Sequence, residues 1–151
     1  MNTVLSGKEV YFENLISYRG KQSLEDSNAM MEHLKKFFIE NNIEKNGPII
    51  SCTHGISTVD GRPMMDVEML IPVNSRPAAL EGFSWISDFH VSNAMMIVYE
   101  GSSIGVQTAA QELMNAIRDN NHTMKTPIYV AYLDSDFSDN SEIKVQMYVG
   151  V

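Results

Sequence analysis

Along VEMLIPV at 67–73, strongly apolar positions recur at every second residue, and the same pattern returns in VQMYVGV at 145–151. Successive residues of a strand point to opposite faces, so Val67, Met69, Ile71 and Val73 share one face and Glu68, Leu70 and Pro72 the other. In the later copy Val145, Met147, Val149 and Val151 lie opposite Gln146 and Tyr148. Ahead of the first copy, VYFENLISYRG (10–20) is dense in β-branched and aromatic residues and predicts a strand closed by Gly20. The period then lengthens. Met30, Leu34, Phe37 and Phe38 fall on one helical face with Met31 beside them, while Glu25, Glu32, Lys36 and Glu40 fall away from it. Ser23 is the expected cap of this helix over 23–42, with Asp26 in the capping-box position. GPIISCTHGIST (47–58) and RPMMDVEMLIPV (62–73) follow as strands joined at Asp60-Gly61, a strong hairpin signal.

After a linker-like stretch, NSRPAALEG (74–82), the order repeats. FSWISDFHVSNAMMIVYEG (83–101) predicts a strand broken near Asn93, with Gly101 in the place of Gly20. SSIGVQTAAQELMNAIRDNN (102–121) predicts a helix with Val106, Ala109, Ala110, Leu113, Ala116 and Ile117 on one stripe. TPIYVAYLDSD (126–136) and SEIKVQMYVGV (141–151) predict a closing hairpin around a loop rich in Asp and Ser. Tyr18 and Gly20 match Tyr99 and Gly101 at an offset of 81; Asn41-Asn42 and Pro48-Ile49 match Asn120-Asn121 and Pro127-Ile128 at 79; Val67 and Met69 match Val145 and Met147 at 78. Matches in one order, drifting only where loops tolerate insertion, imply a tandem duplication. One strand–helix–strand–strand module covers a single face of its sheet, and a second copy can cover the other. The expected architecture is therefore α+β, one domain over 1–151. Module one spans about 8–73 and module two about 83–151. A pseudo-two-fold axis relates them in a curved antiparallel sheet with both helices on its outer face.

Composition narrows the partners. The formal charge is −8, from 19 acidic and 11 basic side chains, and the longest basic run is Lys35-Lys36. That field repels a phosphate backbone, so no nucleic-acid partner is expected, and a cationic or neutral ligand suits it better than an anion. No run of eighteen apolar residues occurs and the N-terminus lacks a basic start with an apolar stretch, so neither a membrane partner nor a secretory leader is expected. A cytoplasmic location follows as the expectation. Cys52 is the lone cysteine, which excludes an intrachain disulfide and a multi-thiolate metal cage.

If the uniformly apolar strand faces meet the helices, Glu68, Leu70, Gln146 and Tyr148 turn to the groove between the modules. Glu68 and Gln146 would then offer an acceptor and a donor from its two sides, flanked by a phenol. Trp85 and Tyr99 are the aromatic residues expected beside them for cation–π or stacking contact, with Phe83 and Tyr132 as core. The eleven methionines suit adaptable core filling or a groove that accepts several ligand shapes. His33, His54, His90 and His122 show no metal spacing, Cys52 lacks an assignable base and reads as an inert thiol, and no cofactor fingerprint is present. GSSIG at 101–105 reads as ordinary N-capping by Ser102 or Ser103.

Two strand–helix–strand–strand modules, each with an aromatic–x–Gly before its helix and the first ending in xEMxIPV, resemble the GyrI-like superfamily of gyrase-inhibitor and AraC-type effector-binding domains. The resemblance covers roughly residues 8–151. It implies a ligand groove between the modules, lined by acidic and aromatic residues, with a glutamate on the final strand. Here that strand carries Gln146, and Glu68 keeps the residue type in module one. The expected function is a stand-alone, non-catalytic binder of a small apolar or cationic molecule, acting by sequestration or on a protein partner. The alternatives are a hydrolase with Glu68 as general base and Tyr148 or Tyr99 orienting substrate, or a protein-interaction module with no small ligand.

Overall fold

The structure is a computed structural model that describes residues 3–23, 27–78, 80, 82–133 and 142–151. Its elements run β1 (Val4–Gln22), α1 (Ser27–Glu40), β2 (Ile49–Val59), β3 (Arg62–Pro72), β4 (Ser84–Ser102), α2 (Val106–Asp119), β5 (Tyr129–Tyr132) and β6 (Glu142–Gly150). Strand–helix–strand–strand thus occurs twice, as the patterning predicts. Asp60 and Gly61 both take positive φ, 52° and 76°, and make the two-residue turn that sets β2 on β3.

The strands pair antiparallel in the ring β1-β3-β2-β5-β6-β4. β1 closes it, because its second half, Leu15–Gln22, pairs with β3 while Val4–Ser17 pairs with β4. The expected curved sheet is therefore curved far enough to close on itself.

Three clusters of buried side chains follow from strand parity. Met30, Leu34, Phe37 and Phe38 of α1 pack on Val67, Met69 and Ile71 of β3. Ala109, Leu113 and Ile117 of α2 pack on Met95, Ile97, Val145, Met147 and Val149. Leu15, Ile50, Leu70, Ala94, Ala131 and Tyr148 form the third cluster on the inner face, between the modules. Leu34 and Leu113 are fully buried, and truncating such a leucine costs about 2–5 kcal/mol.

Both helices stop in the same way. Asn42 and Asn121 take left-handed φ of 53° and 58°. Ile43 N–H then reaches Phe38 O at 2.9 Å, and His122 N–H reaches Ile117 O at 3.0 Å. These are Schellman endings at the two matched asparagine pairs.

The helix starts depart from expectation. α1 begins at Ser27, and Asp26, the expected partner of Ser23, lies outside the described residues. α2 is capped by Gly105 without a side-chain bond, after a 3-10 turn over Ser103–Gly105, so Ser102 is not the cap. The cause is Tyr99. Its hydroxyl donates to Ser102 O at 2.7 Å and comes so close to Gly105 that a methyl there would overlap it. β4 also runs unbroken through Asn93, whose amide donates to Val151 O at 3.3 Å. No helix among the described residues is long and apolar enough to cross a membrane.

Candidate functional site

From the Asp60-Gly61 turn, β2 pairs with β3 as Val59↔Arg62 and continues in step to Gly55↔Asp66. Between Gly55 and Thr53 the register slips, because His54 is an extra residue, a β-bulge. Uninterrupted pairing would set Cys52 opposite Met69; the bulge sets it opposite Glu68. Cys52 Sγ then lies 3.4 Å from His54 Nε2 and 3.8 Å from Glu68 Oε1, and His54 Nε2 lies 2.9 Å from that same oxygen. Ser17 of β1 donates to Glu68 Oε2 at 3.4 Å. Cys52 is buried, while His54 and Glu68 keep 25% and 21% of their side chains exposed.

Arg19 is the register partner of Glu68, yet its guanidinium turns to Asp66, with Nε–Oδ1 at 3.1 Å and Nη2–Oδ2 at 3.0 Å. That fork holds the Asp66 carboxyl below its usual range. Glu68 is left beside a thiol, an imidazole and a hydroxyl. Burial first, and then the negative charge of Glu68, push the Cys52 thiol up to about 12. At neutral pH it is a protonated thiol, not a nucleophile. A nucleophile–base–carboxylate triad also gives each imidazole nitrogen its own partner; here Nε2 faces both Sγ and Oε1. What the cluster does supply is one sulfur, one nitrogen and one oxygen within 4.8 Å of one another, a donor set able to hold a metal ion.

Across the inner face the register aligns Glu68, Cys52, Tyr129 and Tyr148 in one row, and Leu70, Ile50, Ala131 and Gln146 in the next. Tyr129 meets Phe89 edge-on at 4.9 Å and Tyr148 at 5.7 Å between ring centroids. Burial raises the pKa of both phenols and keeps them neutral. Tyr148 is 1% exposed, and its hydroxyl has no hydrogen-bond partner among the described residues.

Glu68, Leu70, Gln146 and Tyr148 thus share one face, as alternation predicts. Glu68 on β3 and Gln146 on β6 lie in adjacent rows, on strands three steps apart in the six-strand ring, and so belong to opposite walls of it. Between them Leu70 and Tyr148 are packed by Leu15, Ile50, Ala94 and Ala131, so the chain's own side chains fill this middle. Phe12, Phe89 and Tyr129 at its margin are only partly buried.

Trp85 and Tyr99 lie elsewhere. Trp85 packs with the α1 cluster, under the Arg76 guanidinium at 5.4 Å, and Tyr99 with the α2 cluster. The reason is that β4 changes phase twice. Phe89 and Val91 face inward, but Ile86 replaces Trp85 beside Asn14, whose φ is 61°, and Ala94 and Met96 face inward beyond Asn93. Each skip sends one aromatic residue to a helix. Cys52, His54, Ser17 and Tyr129 were not among the expected site residues. Their signal is Cys-x-His on a strand opposite an acidic strand position, legible only once the bulge is known.

A six-strand antiparallel sheet of two modules with two outer helices is consistent with the GyrI-like fold. Residues 12–150 match the profile of the family described as Domain of unknown function (DUF5085), and the chain belongs to that family. Compared by sequence with curated proteins, it matches none. Among solved structures it is similar to EcmrR in an EcmrR–DNA complex, with TM-score 0.78, 14% identity, and coverage of 99% of this chain and 57% of that one. The chain therefore spans little more than half of the EcmrR chain. Against the EcmrR C-terminal domain the TM-score is 0.72, with 13% identity and coverage of 99% and 97%. A hydrolase from Listeria innocua gives TM-score 0.57, 9% identity and coverage of 99% and 90%. SAV2435 bound to tetraphenylphosphonium gives 0.52, 13% identity and coverage of 99% and 93%. At such identities the likeness is one of fold.

Proposed function

We propose that this chain is a non-catalytic small-molecule-binding domain of the cytoplasm, with its ligand between the two modules. The observation that carries this reading is the row from Glu68 to Tyr148. A partly buried carboxylate, whose register partner Arg19 is engaged by Asp66, begins a row that continues through Cys52 and Tyr129 to Tyr148, a buried hydroxyl without a partner among the described residues. A carboxylate beside ring faces selects a cation with apolar bulk, and the net charge of −8 has the same preference. The similar fold of SAV2435 bound to tetraphenylphosphonium supports that class. Ligand access moves Phe12, Phe89 and Tyr129, which are partly buried, before it disturbs Leu70 or Tyr148. Sequestration is the simplest use of such a site, and action on a protein partner is the other.

The test is calorimetric titration and thermal shift with tetraphenylphosphonium and with a neutral aromatic of equal size. The expected result is a raised Tm with the cation, and binding weakened about tenfold in Glu68→Gln, the loss of one charge contact of about 1.4 kcal/mol. If the cation leaves Tm unmoved, or binds wild type and Glu68→Gln alike, the reading is wrong.

A further inference from the structure

Three different donor atoms converge on one point at the margin of the inner face. From their geometry we infer that Cys52, His54 and Glu68 form a binding site for a single zinc ion. This site stands whether or not the interior takes an organic ligand. Zinc binds thiolate at about 2.3 Å, imidazole at about 2.0–2.1 Å and carboxylate at about 2.0–2.2 Å. A tetrahedral set with those bonds separates its donors by roughly 3.3–3.6 Å. The separations here are 3.4 Å for S···N, 3.8 Å for S···O and 2.9 Å for N···O. Each lies within about 0.5 Å of the requirement. The short N···O distance is that of a shared proton, and the ion takes that proton's place.

The backbone fixes the set in advance. Cys52 and the bulged His54 lie two residues apart on β2, and Glu68 is on the paired strand β3, so no loop must close to bring them together. Ser17 Oγ on the second carboxylate oxygen orients Glu68 as an outer partner does. Arg19, engaged by Asp66, leaves the carboxylate clear. A thiolate, imidazole and carboxylate set suits zinc, whereas magnesium and calcium take oxygen donors. On binding, the Cys52 thiol gives its proton to solvent, and the proton between His54 Nε2 and Glu68 Oε1 passes by way of solvent to Nδ1, which leaves the neutral imidazole free to bind through Nε2. Two anionic ligands then neutralise the ion. Three protein ligands leave a fourth position for water, which reaches the cluster through the exposed portions of His54 and Glu68.

The experiment uses the full chain, free of tags and stripped with a chelator, titrated with zinc chloride and separately with cobalt(II). One ion per chain is expected, with a thiolate-to-cobalt charge-transfer band and the d–d bands of a tetrahedral ion. Loss of an outer partner alone weakens metal sites 10–100-fold, so His54→Ala and Cys52→Ser should each lose at least about 100-fold. His90→Ala, whose ring faces Glu9 and Tyr11 on another part of the barrel, should bind as wild type. Absence of zinc binding, a cobalt spectrum without the thiolate band, or unchanged zinc affinity in His54→Ala overturns the site. Circular dichroism reports whether Cys52→Ser folds; if it does not, the variant at the partly exposed His54 decides alone.

Discussion

Replacing Tyr148 by phenylalanine removes one oxygen atom from the centre of the inner cluster. The residue is 1% exposed, its ring lies 5.7 Å from that of Tyr129, and its hydroxyl has no partner among the described residues. Burying a hydroxyl unpaired costs about 1–3 kcal/mol. Phenylalanine abolishes that cost and leaves a void smaller than a methyl group, worth less than about 1 kcal/mol. The ligand-free Tyr148→Phe chain should therefore be more stable than wild type by about 1–2 kcal/mol. For a chain of 151 residues this raises Tm by roughly 3–6 °C. Urea unfolding should show a higher midpoint with an unchanged slope, since the native surface does not change. A ligand that carries an acceptor for this hydroxyl should bind the variant less well than wild type, so stability and affinity move in opposite directions. Destabilisation of the ligand-free variant by about 1 kcal/mol or more would mean that the hydroxyl is already satisfied. The idea that it is held in reserve for a ligand would then fail.

Two further outcomes follow from Cys52. With its thiol pushed up to about 12, the native thiolate fraction at neutral pH is about a thousandfold below that of a free cysteine. Alkylation of the metal-free chain by iodoacetamide should therefore be slower than in denaturant by at least about 100-fold, and equal rates would refute the buried placement. The same shift makes stability depend on pH. The folded pKa is raised above the ordinary value of 9.0, so this group's contribution is complete below that value and is lost as pH rises towards about 12, where the unfolded chain releases the proton first. The urea midpoint should fall as pH rises from 9.0 towards about 12, and less so in Cys52→Ala; a midpoint that rises over this range contradicts the assignment.

The parts of this fold written in period and turn chemistry were legible in advance. The 3.6-residue spacing of Met30, Leu34, Phe37 and Phe38 places them on the sheet, and they are buried there. Asp60-Gly61 supplies its two positive φ angles, and the alternation of 67–73 and 145–151 sorts inner from outer residues correctly. What alternation cannot announce is its own interruption. The phase skips of β4 near Ile86 and Ala94 cost no glycine or proline on that strand, yet they exchange Trp85 and Tyr99 for Ile86 and Met96 on the inner face. His54 carries no compositional sign of a bulge either. One such residue decides whether Cys52 meets Met69 or Glu68, and with it whether the strand carries a hydrophobic contact or a cluster of donors.

The frame is symmetric and its chemistry is not. Positions matched by strand register exchange Glu68 with Gln146, Cys52 with Ala131, and Leu70 with Tyr148, while the repeat offset sets His54 against Leu133. Every titratable donor of the cluster therefore belongs to module one, and the equivalent corner of module two is neutral. That asymmetry separates two uses of Glu68, as a counter-charge for an organic cation and as a metal ligand. The double exchange Glu68→Gln with Gln146→Glu preserves net charge and moves the carboxylate to the opposite wall. A lipophilic cation that needs only a carboxylate beside the aromatic row should bind the exchanged chain within about tenfold of wild type, a difference of about 1.4 kcal/mol. Zinc should not follow, because Ala131 and Leu133 offer no donor atoms. Zinc affinity that survives the exchange would show that the carboxylate is dispensable to the metal site, and the three-donor geometry at the bulge would then have to be given up.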